Sequence, residues 1–345
     1  MVDVYRAFFS ALPRWLGIGA IVCACAVPHL AKADWPLNII TALAKDDPLY
    51  QGLLHFQKDI AERTDGQIRV RIFYGSQLGS DEDILEQARA GANVAVVIDG
   101  GRLSVYAPEF GILGAPYLVE DRHQARRLVT SDLFRVWEGK LRQAARLQVL
   151  SFNWWQGERH VLAQKAVTRP SDLQGVRLRT IGAPVFIETL RAMGATPTPL
   201  SWAEVYPALQ QGVIDGAEAQ HQATYGSRLY EVVSHISKTA HIHLLTGIVV
   251  AADWFEALPD DLQREIRQAA VEAGDVASDL TAQRQLGYEK AMREQGTVVY
   301  DIDRTPFVEA TASVYSTLGY QPLRKQVLEA VDKANAQQEV IDGSH

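Results

Sequence analysis

Two arginines in a six-residue stretch raise the first chemical question. In GVRLRT, residues 175–180, Val176, Leu178 and Thr180 alternate with Arg177 and Arg179, the period-two pattern of a strand with one buried face. A guanidinium stays protonated and is costly to bury without a partner, so the chemistry on offer is anion capture. Alternation puts both arginines on one face. The strand-end position just before Ile-Gly-Ala-Pro favours Arg179 as the ligand contact and leaves Arg177 as a rim charge. Two other strand ends carry comparable groups. VAVVIDGG finishes with Asp99, then Gly100 and Gly101, which permit close backbone approach. SFNWWQGERH sets Trp154 and Trp155 near Arg159. In open α/β sheets, ligands collect beyond such carboxyl ends.

Signatures of catalysis are missing. The chain has no P-loop, no G-x-S-x-G and no H-E-x-x-H. His241 and His243 in HIHLL share a strand face as a two-ligand metal pair at most; with no third ligand nearby, polar or interface roles are favoured and neither metal nor cofactor is expected. Ser201 and Glu204 read as a capping box that opens a helix. These features disfavour an enzyme.

The elements that must position the charged groups alternate. LNIITALA (37–44) and QIRVRIFYG (67–75) read as strands on either side of a helix closed by Gly66. SDEDILEQARAG has Ser80 as N-cap and acids in its first turn. ANVAVVIDGG is a continuous apolar run, as in a strand covered on both faces. Further strands are expected across 145–162, at TPTPL and at 213–220, with helices at PVFIETLRAMG and AEVYPALQQG. This order predicts an α/β fold with a parallel sheet and helices on both sides. Residues 258–296 form one long helix with core-spaced Leu262, Ile266, Ala269, Ala273, Val276 and Leu280. At about 1.5 Å per residue it runs some 50 Å, enough to cross two lobes.

The N-terminus reads as an export signal. Arg6 and Arg14 precede the apolar run WLGIGAIVCACAV, and AKA at 31–33 supplies an A-x-A site, so cleavage is expected after Ala33. The run is too short for a comfortable membrane span. Both cysteines, Cys23 and Cys25, lie in this segment, so an exported mature chain would carry no disulfide, and at this length it needs none. Removing Arg6, Arg14 and Lys32 from 34 basic residues and Asp3 from 41 acids leaves 31 against 40, net −9. That balance argues against nucleic acid or anionic lipid as a partner. A soluble periplasmic protein, monomeric and with two domains, is the expectation.

The stretch DLQGVRLRTIGAPVFIETLRAMGATPTPLSWAEVYPALQQGVIDGAEAQ, 172–220, closely resembles the DctP-type solute-binding proteins of tripartite ATP-independent periplasmic (TRAP) transporters. Their usual form is a D-L-x-G-[KR]-[ILV]-R strand, then G-A-x-P-T-P, then E-V-Y-x-A-L-Q-x-G-V-[IV]-D-G-x-E. YGSQLGSDEDILEQARAGANVAV (74–96), PEFGILGAPYL (108–118) and LPDDLQREIRQAA match the family too. The resemblance covers essentially the whole chain after residue 33. It implies two α/β lobes, 34–156 plus about 245–284 and 157–244 plus about 285–340, with a ligand cleft between them and a long helix across both. It also implies closure over a small organic acid and docking on membrane permease subunits. Carried over by position, Arg179 is expected to hold the ligand carboxylate through a bidentate salt bridge. Arg159 falls on the family's second arginine, Asp99 on the polar end of the third strand, and Trp202 on an aromatic position whose ring could face the ligand. Trp155 is a further candidate contact. Many relatives read G-Q-E-N where this chain has Gly216-Ala217-Glu218-Ala219, so Ala219 removes a donor from the carboxylate site. Gln220 and His221 are the nearby polar substitutes, and Glu218 is expected to be structural. The residues favour a hydroxy- or keto-monocarboxylate or a sugar acid, leaving a dicarboxylate or an aromatic acid open.

Overall fold

The computed structural model describes residues 34–342, with side chains through residue 334; the expected signal and its cleavage site lie outside the described residues. Among the described residues nine strands form one sheet: β1 (Trp35–Ile40), β2 (Ile68–Phe73), β3 (Val94–Asp99), β4 (Leu147–Ala163), β5 (Arg177–Thr180), β6 (Thr196–Pro199), β7 (Gly216–Ala219), β8 (His235–Ala251) and β9 (Val298–Tyr300). Helices α1 (Pro48–Arg63), α2 (Asp81–Arg89), α3 (Gly100–Leu103), α4 (Arg122–Val129) and α5 (Asp132–Ala145) belong to the first half of the chain. Then come α6 (Pro184–Ala192), α7 (Val205–Gln210), α8 (His221–Gly226), α9 (Ala252–Glu256), α10 (Asp260–Glu294), α11 (Thr305–Thr311), α12 (Val314–Thr317) and α13 (Gln321–Asp342).

Local chemistry explains the helix starts. Asp47 caps α1 by accepting from the Leu49 N–H at 2.8 Å, with Pro48 at the first helical position. Ser80 and Asp83 close a reciprocal capping box on α2, and Ser201 with Glu204 does the same ahead of α7.

Strand order is β2-β1-β3-β8-β4-β7-β5-β6, with β9 beside β8. The β1–β3 and β5–β7 groups are parallel, as the alternation of elements predicts. The centre differs: β4 and β8, 17 residues each, pair antiparallel to one another and to β7 and β3. Two such long strands carry the sheet from one parallel half to the other, so the protein is an α/β molecule of two lobes. Their pairing contains four register shifts, between Val149 and Val161, where bulges bend the strands.

Helix α10 lies against β4 and α1 and then reaches α8 and β9. Its crossing of β4 is polar. Ser151 donates to the Ala270 carbonyl at 3.1 Å, Asn153 to the Val271 carbonyl at 2.8 Å, and Ser278 accepts from the Trp155 N–H at 2.9 Å. Close approach needs Gly274, where a Cβ would meet Asn153 Oδ1 at 2.6 Å.

Candidate functional site

The carboxyl ends of β3 and β5, the residues just after β7 and the middles of β4 and β8 converge on one pocket. It holds about 500 Å³ of empty space, open mouth included, and its lining includes Arg179, Arg159, Arg102, Asp81, Asp99 and Trp202. Thr41, Thr246, Gln156 and Gln220 complete the polar part of the wall.

Arg179 is 1 % exposed. Its Nε and Nη2 donate to the Leu200 carbonyl at 2.9 and 2.7 Å, and its guanidinium lies over the Trp202 ring, 5.3 Å from the centroid. Trp202 is held in turn by its indole N–H to Ser227 Oγ at 2.9 Å. Among the described residues no carboxylate stands within ion-pair distance of Arg179. Burial, with Arg159 nearby, pulls its pKa down to about 9, the signature of a cation short of counter-charge. Arg177, one pleat earlier, is exposed and clamped by Asp215 at 2.7 and 2.9 Å. It stands outside the pocket as a surface ion pair.

Arg159 has a partner already. Its Nε donates to the Glu218 carboxylate, and its Nη2 to the Glu218 backbone carbonyl at 2.7 Å. Thr180 Oγ1 donates to the same carboxylate at 2.7 Å, and His241 Nε2 lies 3.4 Å away. Burial alone would raise the Glu218 pKa, but Arg159 and His241 outweigh it and hold the group at about 2. Glu218 is thus the counter-charge of the second arginine.

Asp99 caps α3. It accepts from the Arg102 N–H at 3.0 Å and pairs with the Arg102 guanidinium. Arg102 also meets Glu82 Oε1 at 2.5 Å and Asp81 Oδ2 at 3.6 Å. Three acids around one arginine leave Asp81 poorly compensated: burial pushes its carboxyl up to about 6, against the opposing pull of Arg102. Arg102 and Asp81 are the charged pocket residues that sequence reasoning missed, with Gln156, Thr41 and Thr246 the polar ones. Asp99 and Arg102 three apart after two glycines is a usable signal for the first. Asp81 looked like an ordinary first-turn acid of α2.

Of the residues singled out from the sequence, Arg179, Arg159, Asp99 and Trp202 line the pocket together. Trp155 and Ala219, the other candidate contacts, are placed elsewhere. Trp155 turns away because the pleat gives the pocket side to its neighbour Gln156; its indole N–H donates to His243 Nδ1 at 3.2 Å in a separate hollow beside α4 and α10. Trp154 is fully buried under α10. Ala219 is fully buried in an apolar cluster with Leu162, Val205 and Leu209, so it neither faces the pocket nor widens it. Gln220, one residue on, supplies the lining there. His241 and His243 part company as well, one toward Glu218 and the other onto the Trp155 ring.

Residues 39–321 match the family of bacterial extracellular solute-binding proteins, family 7, DctP. The chain belongs to this family. Among curated relatives, the DctP-family chain is 30% identical over 90% of its length to an uncharacterized protein, y4mM, of Sinorhizobium fredii, and spans 56% of that longer protein. It is 29% identical to the 2,3-diketo-L-gulonate-binding periplasmic protein YiaO of Escherichia coli, over 81% of this chain and 85% of the relative. Among solved structures, a TRAP periplasmic solute-binding protein of Escherichia fergusonii in an apo open form is 43% identical, with TM-score 0.76, covering 86% of this chain and 99% of the other. One from Actinobacillus succinogenes with bound L-galactonate is 30% identical, with TM-score 0.83, over 86% and 99%. The latter three are named as periplasmic binding proteins. Among the described residues, no helix is long and apolar enough to cross a membrane.

Proposed function

We propose that this DctP-family protein captures a small polyhydroxylated monocarboxylate of the sugar-acid kind in the Arg179 pocket, without chemical change, and presents it in the periplasm to membrane permease subunits. The observation that carries the reading is a charge count. Of the three pocket arginines, Arg159 is answered by Glu218 and Arg102 by Asp99 and Glu82, whereas Arg179 has only a carbonyl and an indole. One uncompensated guanidinium suits one carboxylate, received by the N–H groups that Leu200 leaves free. A second carboxylate would meet Asp81 and Asp99, so a dicarboxylate is disfavoured. With Trp202 the single aromatic side chain in the lining among the described residues, an aromatic acid lacks a second stacking face. Acceptor groups at Asp81, Asp99, Thr41 and Thr246 suit ligand hydroxyls. The relatives named for L-galactonate and 2,3-diketo-L-gulonate agree with this class.

Capture by closure belongs to the same proposal. The lobes would divide near 156/157, 244/245 and 284/285, with β4 and β8 as the crossing strands, and the ligand would favour the closed form through its higher affinity for it. Calorimetry with L-galactonate, 2,3-diketo-L-gulonate, succinate and benzoate tests the reading. Binding of a sugar acid that disappears in Arg179→Ala is expected. Preferred binding of succinate or benzoate, or turnover of the bound acid, overturns it.

A further inference from the structure

A hydrogen-bond chain with a fixed direction runs along the pocket floor. Arg159 Nη1 donates to Gln220 Oε1 at 3.3 Å, Gln220 Nε2 to Gln156 Oε1 at 3.4 Å, Gln156 Nε2 to Thr246 Oγ1 at 3.0 Å, and Thr246 Oγ1 to the Trp154 carbonyl at 3.1 Å. Arginine sets the direction. A guanidinium only donates, so Gln220 must turn its oxygen to Arg159 and its nitrogen onward, and Gln156 must follow suit. Both amide oxygens are engaged within the chain, while each amide nitrogen has a second N–H not used by it. Both side chains are buried and line the pocket. Donation from a cation also polarises every later link in the same sense.

We infer that Gln220 and Gln156 determine specificity by presenting oriented amide N–H donors to an acceptor oxygen on the carbon next to the ligand's carboxylate, and so select α-hydroxy or α-keto acids. Placement supports this position along the ligand. Gln220 follows β7, whose Ala217 is paired in register with Arg179, so its amide stands on the arginine side, and Gln156 leads from it toward Thr246, which is paired in register with Asp99 at the end of β3. The inference rests on the sugar-acid reading of the pocket and adds which atom of the acid is read.

Calorimetry with L-galactonate and its 2-deoxy counterpart tests it. The unaltered protein is expected to prefer L-galactonate by about tenfold or more, the scale of one buried hydrogen bond. Gln220→Ala should cut that preference, read as the ratio of the two affinities, to about twofold or less. Gln156→Ala, which leaves Gln220 without its acceptor, should act in the same direction. Gln220→Glu replaces a donor by an acceptor at constant shape; it should weaken 2,3-diketo-L-gulonate, whose C2 oxygen only accepts, far more than L-galactonate, whose 2-hydroxyl can donate to the new carboxylate, and it decides the matter if melting curves show the alanine variants to be unfolded. Tenfold discrimination that survives in the folded variants overturns the inference alone, since Arg179→Ala would still abolish binding. Failure of the unaltered protein to bind any hydroxy or keto acid overturns the pocket reading and this inference with it.

Discussion

The Arg179 guanidinium lies over the indole of Trp202, 5.3 Å from its centroid, and the carbonyl that fixes it belongs to Leu200, two residues before that indole. One short segment therefore holds one edge of the fork through two N–H groups and covers its face, so the arginine is ordered before any ligand arrives. Preorganisation of this kind removes part of the ordering cost of binding. Trp202→Ala should weaken sugar-acid binding by about five- to thirtyfold, the range of a desolvated cation–π contact of about 1–2 kcal/mol, and Trp202→Phe should fall between. Isothermal titration of the three proteins checks the order.

Glu218 gives a stability prediction. Its pKa of about 2 lies below the ordinary 4.5, so the folded state binds its proton less readily than the unfolded state does. The sign follows: this stabilisation is full above about pH 4.5 and is lost as the pH falls toward 2. Glu218→Gln leaves Arg159 buried without a counter-charge and should cost about 3–5 kcal/mol at pH 7, with a much flatter acid limb. Urea unfolding between pH 2.5 and 7 measures both.

Asp81 predicts the opposite trend for binding. Its pKa is raised to about 6, so ionising it above that pH costs folding stability and adds a negative charge to a pocket awaiting an anion. Affinity for a sugar acid, which stays ionised throughout, should rise as the pH drops from 7.5 to 5.5. Asp81→Asn should flatten that dependence and stabilise the unliganded protein at pH 7.5. An unchanged slope in the variant would refute the assignment.

Gly101 is where α3 meets α6: a Cβ there would come within 2.4 Å of the Phe186 ring. Gly101→Leu is expected to wedge this contact apart, lowering ligand affinity tenfold or more with no polar pocket group altered. Small-angle scattering should report a larger radius of gyration in saturating L-galactonate than for the unaltered protein.

Much of the frame was legible because it is local. The unbroken apolar run of β3, the Ser80 and Ser201 caps and the spacing of α10 from Leu262 to Ala273 each declare themselves within a few residues, whereas further along α10 it is Ala277 and Thr281, not Val276 and Leu280, that are buried. Arg179 was legible for a similar reason, since a strand-end arginine before a Gly-Ala-Pro turn is a local oddity. What stayed hidden depends on distant partners. Nothing near Arg159 says that Glu218, 59 residues on, neutralises it, and nothing in Trp154-Trp155-Gln156 says which of three successive side chains faces the pocket. The antiparallel centre escaped the strand–helix alternation because β4 and β8 are joined through the whole second half of the sheet rather than by a single crossover helix.

The register slips between β4 and β8 bear on how such a molecule would move. Helix α10 runs from residue 260 to 294 without a break and is fastened to β4 by side chain-to-backbone bonds, which makes it the stiff member of the pair. Backbone rotation then concentrates where the ladder is already irregular, between Val149 and Val161. Amide protons in that stretch should exchange with deuterium faster than those in the regular ladder of β1 and β2, and slow down once a ligand is enclosed.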